Sequence, residues 1–558
     1  MARLSMNRPL RVVLTGFSGT GKTAVAELVA AKLRWQAVDT DSLIERAAGR
    51  SILDIFAREG EPRFRELESE ALRDACRHQR AVVSTGGGAV LRPENRRLMA
   101  DGGFVVCLEA RPETIKERLL REGSEPLERP LLANGDWLAR VRSLKRARQH
   151  LYALCDYTVH ADGLTPEQVA DEVARAWHNC EKGGTLDRER FDVAVPEGAA
   201  AVVSASTGDY PIVVQWGALA SLGARLRDAG LAHHVYLITD EQVAHHHGDD
   251  VEAALQSAGI DFDVFPIPPG EASKTLTTAS SVYDWLLDRK AERGHTIVAV
   301  GGGVVTDLGG YVAATFARGL PLIHVPTSLL GMVDAAIGGK VAVNHPKAKN
   351  MIGTFYHPQM VLADPALLRT LPPREMSGWA EAIKHALIAD EGYLRFFEEN
   401  ADGILKLEPE VTTEAISRSA VIKAAIVSED ERETTGRRSL LNYGHTLAHA
   451  IESTTGYQRF RHGEADGIGM TAAAAISARM GLLEPAVAAR QRAVLERYNL
   501  PTRVDGLDRG QLTAAMALDK KVQGKTVRWV LLEGIGKPVL RDGVPPDVVD
   551  AALGEVLI

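Results

Sequence analysis

The sequence predicts an α/β protein in two successive parts: a parallel-sheet unit with flanking helices, then a second α/β unit that runs into a mostly helical one. Three observations predict it. An apolar strand, Val12 to Thr15, enters the glycine-rich turn GFSGTGKT (Gly16–Thr23), and a periodic apolar helix follows from about Lys22 to Leu33. A second alternation of strands and helices begins near Phe191, and its strand Thr296–Val300 runs into three consecutive glycines, Gly301 to Gly303. After about Leu371 the strand signal fades, and Ala-, Glu- and Arg-rich helical stretches continue to about Tyr498.

In order along the chain, apolar runs at Ala81–Ser84 and Phe104–Leu108 read as strands and the pattern around Thr165–His178 as a helix, which closes a first unit at residues 1–178. Residues 179–190, with Lys182, Gly183 and Gly184, are polar and weakly periodic and read as a linker. Strands are then expected at Ile212–Val214, Val235–Thr239, Thr296–Val300 and Leu322–Val325, giving an α/β unit over 191–370 and a helical one over 371–558. The run His245-His246-His247, ahead of Gly248 and two aspartates, reads as an exposed turn rather than a metal site.

Composition narrows the function classes. A chain of 558 residues exceeds one hydrophobic core, and 45% hydrophobic with 25% charged residues is the balance of a globular protein, not a disordered one. A formal charge of −8 gives no basic field for nucleic acid or an anionic membrane, so small anionic substrates must be held by local Lys and Arg. Cys76, Cys107, Cys155 and Cys180 contain no CxxC pair, which argues against a thiolate zinc site or a disulfide framework and for a reducing cytoplasm. The apolar run after Arg11 breaks at Gly16, so no signal-peptide core is read there.

Two clusters carry chemistry. GFSGTGKT satisfies GxxxxGK[ST] between a predicted strand and a predicted helix. In such a loop the amides around Gly16, Gly19 and Gly21 cradle phosphate, Lys22 neutralises the β and γ phosphates of ATP, and Thr23 offers its hydroxyl to Mg2+. Asp39 and Asp41, two apart at the end of an apolar segment and read as extended chain, would project to one side. In the second half, the triplet Gly301–Gly303 at a strand-to-helix turn suits a dinucleotide pyrophosphate, although it is not GxGxxG. His445 and His449 share a helix face, but HTLAH lacks the glutamate of a zinc protease.

The first half resembles shikimate kinase through the phosphate loop, Asp39 and Asp41, GEPRFRELE (Gly60–Glu68), TGGGAV (Thr85–Val90), RPLL (Arg129–Leu132) and RQHLY (Arg148–Tyr152). That resemblance implies that Asp39 serves magnesium, that Asp41 orients the shikimate hydroxyl, that Arg65, Arg148 and the Gly87 backbone hold the shikimate carboxylate, and that Arg129 closes over the phosphates. A planar arginine clamp is also what a small acid asks of a site by simple chemistry.

The second half resembles dehydroquinate synthase through PPGEASKTL (Pro268–Leu276), the segment Arg318–Lys340, WAEAIKHA (Trp379–Ala386), SEDERE (Ser428–Glu433) and RRSLLNYGHTLAHAIE (Arg437–Glu452). The resemblance implies a Rossmann-like NAD-binding domain followed by a helical metal- and substrate-binding domain. It places NAD on Glu271, Lys274, Gly302, Gly303, Asp307, Thr327 and Ser328, and Zn2+ or Co2+ on Glu381, His445 and His462. It places the substrate on Arg318, Asp334, Lys340, Lys349, Asn350, Lys384, Lys423, Arg438, Asn442 and Lys520, with Glu433 and His449 at proton-transfer positions. Counted from Lys423 the acid falls on Glu433, but counted back from Arg438 it falls on Thr434, as though one threonine were inserted; Glu433 is kept because a threonine cannot act as a base.

The expectation is therefore a bifunctional cytoplasmic enzyme acting on small molecules, with a homodimer implied through the second half. The alternatives are a gluconate-type or nucleotide kinase, fused to an NAD- and metal-dependent alcohol dehydrogenase or to another sugar phosphate cyclase. A further alternative is that one half is a catalytically silent binding module.

Overall fold

The computed structural model describes residues 10–121, 138, 141, 144, 145, 148, 151–181, 198–518 and 527–558. Arg129 and Lys520 lie outside the described residues, as does most of the expected linker. The chain divides into two compact units, Met1–Ser204 and Ala205–Ile558.

The first unit holds a parallel five-stranded sheet of order β2-β3-β1-β4-β5, made of β1 (Arg11–Thr15), β2 (Gln36–Asp39), β3 (Ala81–Ser84), β4 (Gly103–Glu109) and β5 (Tyr157–His160). Every residue of β1 is buried, as expected of a central parallel strand covered on both faces. Successive side chains feed opposite cores: Val12 and Leu14 pack with Val25, Val29 and Trp177, whereas Val13 packs with Leu72, Val83 and Ile115. Because β1 is followed by β2 on one side while β3 connects to β4 on the other, a crevice opens at the carboxyl ends of β1 and β3. The helix Ile52–Ala75 is broken at Gly60 (φ 79°, ψ 177°) ahead of Pro62, and its second segment buries Arg65, Glu68 and Leu72 on one face.

The second sheet has seven strands in the order β6-β7-β14-β11-β10-β8-β9, all but β6 within Ala205–Ile558. Its strands are β6 (Ala199–Val203), β7 (Tyr210–Val214), β8 (Val235–Asp240), β9 (Phe262–Ile267), β10 (Thr296–Gly301), β11 (Leu322–Pro326) and β14 (Met360–Ala363). A hairpin of β12 (Lys340–His345) and β13 (Ala348–Phe355) precedes the last of these. All the strands expected from the sequence are present, while β5, β6, β9, β12, β13, β14 and the antiparallel pair β15 (Arg528–Leu532) and β16 (Pro538–Asp542) are additions to that reading.

From Trp379 the chain is mainly helical. Helix Trp379–Ala389 is buried from Trp379 to Ile388, and helix His462–Arg479 is buried at Gly463 and from Ala465 to Ser477, so both run through the interior and carry Glu381, Lys384 and Asp466 into it. Helix His445–Thr454 crosses the second of these at a very close approach. A Cβ on Gly469 would sit 2.1 Å from the Gly444 carbonyl oxygen, and Gly444 itself takes φ 87°. Two glycines therefore let the start of one helix touch the first turns of the other and set His445 beside His462.

Two local readings are corrected. His245, His246 and His247 lie within helix Glu241–Ser257 rather than in a turn, because Asp240 caps it by accepting from the Gln242 and Val243 amides. His247 is buried, with Nε2 2.7 Å from Thr370 Oγ1. Asp39 and Asp41 are not both on extended chain: β2 ends at Asp39, which caps helix Thr40–Ala48, so Asp41 stands in a first helical turn. Among the described residues no helix is long and apolar enough to cross a membrane.

Candidate active sites

In the first unit the phosphate loop leaves β1 through Gly16, Gly19 and Gly21, all at positive φ (136°, 82° and 90°) that a side chain would strain. Lys22 Nζ donates to the Gly16 and Phe17 carbonyls at 2.9 and 2.8 Å, which holds the ammonium against the loop. Thr23 Oγ1 donates to Asp39 Oδ2 at 2.8 Å and lies 3.4 Å from Ser84 Oγ, so the ends of β2 and β3 meet the loop at a hydroxyl–carboxylate pair suited to a hydrated cation.

Beside it lies a polar pocket lined by the Gly86–Gly88 backbone. A Cβ built on Gly86 would come within 2.5 Å of Glu68 Oε1 and 3.1 Å of Asp41 Oδ1, and one on Gly88 within 2.0 Å of Arg65 Nη1. Arg65 donates to Glu68 Oε2 at 2.7 Å and to Glu61 Oε1 at 2.9 Å. Burial pushes the Glu68 carboxyl up, against the pull of Arg65, Arg148 and Arg92. Tyr152 donates to the Gly87 carbonyl at 2.6 Å and also bonds Arg148, which is buried. Asp41, Arg65, Gly87 and Arg148 are thus brought together. Glu68 and Tyr152 are the members the sequence reading left without a role, although both stand inside the segments it singled out.

In the second unit the carboxyl ends of β10 and β11 form one edge. The Thr327 amide donates to the Gly301 carbonyl at 3.0 Å, and Ser328 Oγ lies 3.2 Å from where a Cβ on Gly302 would sit, so only bare backbone fits between them. Helix Gly303–Thr315 starts at this edge with its amides facing outward. On its second turn Asp307 accepts from Lys274 Nζ at 2.6 Å; burial pushes that carboxyl up to about 6 against the lysine's pull. Glu271 accepts from Asn344 Nδ2 at 2.7 Å and lies 3.9 Å from Lys349 Nζ.

Deeper in the unit, donor atoms of Glu381, His445, His462 and Asp466 all lie within 4.8 Å of one another. The Nε2 atoms of His445 and His462 stand 3.5 and 3.4 Å from Glu381 Oε1. Burial would raise Glu381, but Lys384, His462 and His445 outweigh it and hold the carboxyl well below the usual range. Burial opposes charge on His462 as well, yet Asp466, Glu381 and Glu452 raise its pKa well above that of a free imidazole. Three carboxylates (Glu381, Asp466, Glu452) around two imidazoles and the Lys384 ammonium make a negative pocket with nitrogen and oxygen donors, a donor set that fits a divalent cation with room for a substrate. His449 lies alongside, its ring centroid 5.2 Å from that of His445.

Around this cage the charged residues pair. Asp334, on a single π-helical turn (Gly331–Ala335), pairs with Lys423, and Lys384 pairs with Glu381. Lys340 Nζ lies 2.6 Å from Glu433 Oε2. Arg438 donates to the Gly338 carbonyl at 3.1 Å and the Glu431 carbonyl at 2.6 Å. Near Glu433, Asp430 accepts from the amides of Thr434, Thr435 and Arg438, gathering the segment into a turn in which Glu433 takes φ 59° and faces Lys340. Lys349 Nζ sits 4.2 Å over the Tyr457 ring, and the neighbouring Asn350 amide donates to Asn344 Oδ1. Arg318 and Asn442 are exposed and make no side-chain hydrogen bond or ion pair among the described residues. The sequence reading missed Asp466, Glu452 and buried His385, whose Nδ1 lies 2.7 Å from Ser419 Oγ.

A phosphate-loop unit with an arginine-lined acid pocket, followed by a sheet-edge dinucleotide cradle over a carboxylate–imidazole cage, defines a two-enzyme chain. Comparison with known proteins makes this specific. The shikimate kinase family model matches residues 18–178, and models for the N-terminal and C-terminal parts of 3-dehydroquinate synthase match 264–378 and 378–522. The chain is 40% identical over 351 residues to the 3-dehydroquinate synthase of Crocosphaera subtropica, covering 62% of this chain and 96% of that protein. It is 42% identical over 353 residues to that of Acaryochloris marina, covering 62% and 95%. Among solved structures it is similar to a 2-epi-5-epi-valiolone synthase from Streptomyces hygroscopicus subsp. jinggangensis with NAD+ and Zn2+ bound (28% identity, TM-score 0.58, 62% and 96% covered). It is also similar to a 2-deoxy-scyllo-inosose synthase complexed with carbaglucose-6-phosphate, NAD+ and Co2+ (25% identity, TM-score 0.57, 64% and 99% covered). The chain belongs to the 3-dehydroquinate synthase family and carries a shikimate kinase domain as its first part, two enzymes in one polypeptide.

Proposed function

We propose that the first unit transfers the γ-phosphate of ATP to shikimate and that the second converts 3-deoxy-D-arabino-heptulosonate 7-phosphate to 3-dehydroquinate with release of phosphate. In the kinase, Lys22 and the loop amides bind the β and γ phosphates, and Thr23 and Asp39 would hold Mg2+, which would supply charge neutralisation for the phosphates. Asp41 orients the attacking hydroxyl, and Arg65 and Arg148 grip the carboxylate of the acid.

In the synthase, Glu381, His445 and His462 would hold Zn2+ or Co2+, and the edge formed by Gly302, Gly303, Thr327 and Ser328, with Glu271, Lys274 and Asp307, would hold NAD. When bound, the dinucleotide accepts and returns a hydride and the cation polarises adjacent hydroxyls of the sugar. Lys349, Asn350 and Arg438 take the phosphate and carboxylate charge, and Lys384 and Lys423 with Asp334 fix the hydroxyls. Glu433, in contact with Lys340, and His449 are placed to carry protons at the reacting centre. The synthase substrate set also includes Arg318, Asn442 and Lys520, and in the kinase half Arg129 would close over the phosphates. We place the enzyme in the cytoplasm as a homodimer through its synthase half.

The observation that carries this reading is the Glu381–His445–His462 cage, built on the fully buried Glu381, in the same unit as the glycine-lined strand edge of β10 and β11. The test is substrate choice by the intact protein. Turnover of the heptulosonate phosphate but not of glucose 6-phosphate, together with ATP consumption driven by shikimate but not by gluconate or nucleoside monophosphates, is expected. Preference for glucose 6-phosphate would replace the synthase assignment with that of a different cyclase.

A further inference from the structure

Each imidazole of the cage has a carboxylate oxygen within 3.5 Å of both ring nitrogens. His445 directs Nε2 to Glu381 Oε1 at 3.5 Å and Nδ1 to Asp466 Oδ1 at 3.1 Å. His462 directs Nε2 to the same Glu381 oxygen at 3.4 Å and Nδ1 to Glu452 Oε1 at 3.3 Å. Asp466 Oδ2 also lies 3.2 Å from His462 Nε2, so Asp466 spans both rings while Glu452 serves one. A neutral imidazole offers one nitrogen as a ligand when the other carries the proton, and the acceptor facing that proton selects the tautomer.

The braces are supplied crosswise. Glu452 lies seven residues, two helical turns, beyond His445 on helix His445–Thr454, yet it faces His462. Asp466 lies one turn beyond His462 on helix His462–Arg479, yet its Oδ1 faces Nδ1 of His445. Each helix thus contributes one imidazole and one carboxylate, and each carboxylate supports the other helix's ring. The Glu452 side chain is 13% exposed and is hydrogen-bonded to His462 Nδ1, whereas Asp466 is fully buried with both oxygens outside hydrogen-bond geometry, a position in which a carboxylate needs a compensating positive charge close by.

We infer that Glu452 and Asp466 are positioning residues that fix His462 and His445 with their protons on Nδ1, so that both Nε2 atoms point at one cation. The inference rests on the proposed reading of Glu381, His445 and His462 as metal ligands.

The test is a Co2+ titration of the metal-free full-length protein, followed through the visible absorption of the bound ion and by competition with a chelator. Glu381→Ala is expected to abolish tight binding. Glu452→Ala is expected to weaken Co2+ affinity by about 10–100-fold and to change the absorption bands. Glu452→Gln, whose amide oxygen still accepts from Nδ1–H, is expected to recover most of that loss. Asp466→Ala is expected to act like Glu452→Ala; because Asp466 is fully buried, NAD binding by the metal-free protein and shikimate-dependent ATP turnover serve as folding controls for every variant. Glu452→Ala with wild-type affinity and spectrum, or Glu452→Gln as weak as the alanine variant, would overturn the bracing role while leaving the ligand set intact. Wild-type Co2+ binding by Glu381→Ala would instead overturn the ligand reading itself.

Discussion

The two sites of this chain are built on opposite plans. The kinase site is made largely of backbone from one short stretch: Gly16, Gly19 and Gly21 bend the chain so that successive amides surround a phosphate, with Lys22 and Thr23 immediately after them. The synthase cage is made of buried side chains that meet from three helices, and its charges are balanced by partners far away in sequence, such as Lys423 with Asp334 and Lys340 with Glu433. A backbone site tolerates change around it because amides cannot be mutated away. A side-chain cage depends on every member, since a buried charge that loses its partner becomes a cost.

The difference sets the order of expected effects. Glu381→Ala should lower synthase turnover by on the order of 10³-fold or more while shikimate-dependent ATP turnover in the same preparation stays at the wild-type rate. Asp41→Asn should do the reverse, lowering kinase kcat by roughly 10²–10³-fold with the synthase intact, as read by ADP formation and phosphate release in parallel assays. Glu433→Gln sharpens the comparison inside the synthase: a loss of about 10²-fold in kcat with metal content unchanged is expected, and Thr434→Ala should be nearly silent, which would assign the proton-transfer position to Glu433 rather than Thr434.

Smaller effects reach stability. Gly469→Ala would press a methyl against the Gly444 carbonyl, and should cost the synthase unit about 2–3 kcal/mol and part of its metal affinity, measured by denaturant unfolding. The effect that is smallest at neutral pH concerns acid stability. Burial holds the His324 imidazole down to about 3. As pH falls below about 6.5 the unfolded chain takes up that proton and the folded one does not, so stability present above pH 6.5 is lost progressively towards pH 3. His324→Leu should flatten this acid limb by about 1 kcal/mol per pH unit.

The same contrast explains what the sequence could disclose. The phosphate loop was legible because its eight residues are contiguous and their context, strand before and helix after, can be checked locally. The main strands were legible because buried parallel strands are uninterrupted apolar runs. The β12–β13 hairpin was not, since β13 is largely exposed and carries no apolar period. Glu381, His445 and His462 were identified through a resemblance, whereas Glu452 and Asp466 look in sequence like any helical acid; their meaning depends on which ring the crossing of two helices brings opposite. The position of Glu433 was ambiguous in the sequence because it stands in a turn, where counting from either side fixes no position; the structure shows that turn held by Asp430, which accepts three amides.

The most direct measurement of the central claim is phosphate release from 3-deoxy-D-arabino-heptulosonate 7-phosphate by the full-length protein with NAD and Zn2+ and without ATP, with NADH absorbance followed in the same cuvette. Phosphate released with no accumulating NADH is the expected result, because the hydride taken up is returned within each turnover. No phosphate, or NADH rising in step with substrate consumed, would contradict it and make the second half a dehydrogenase.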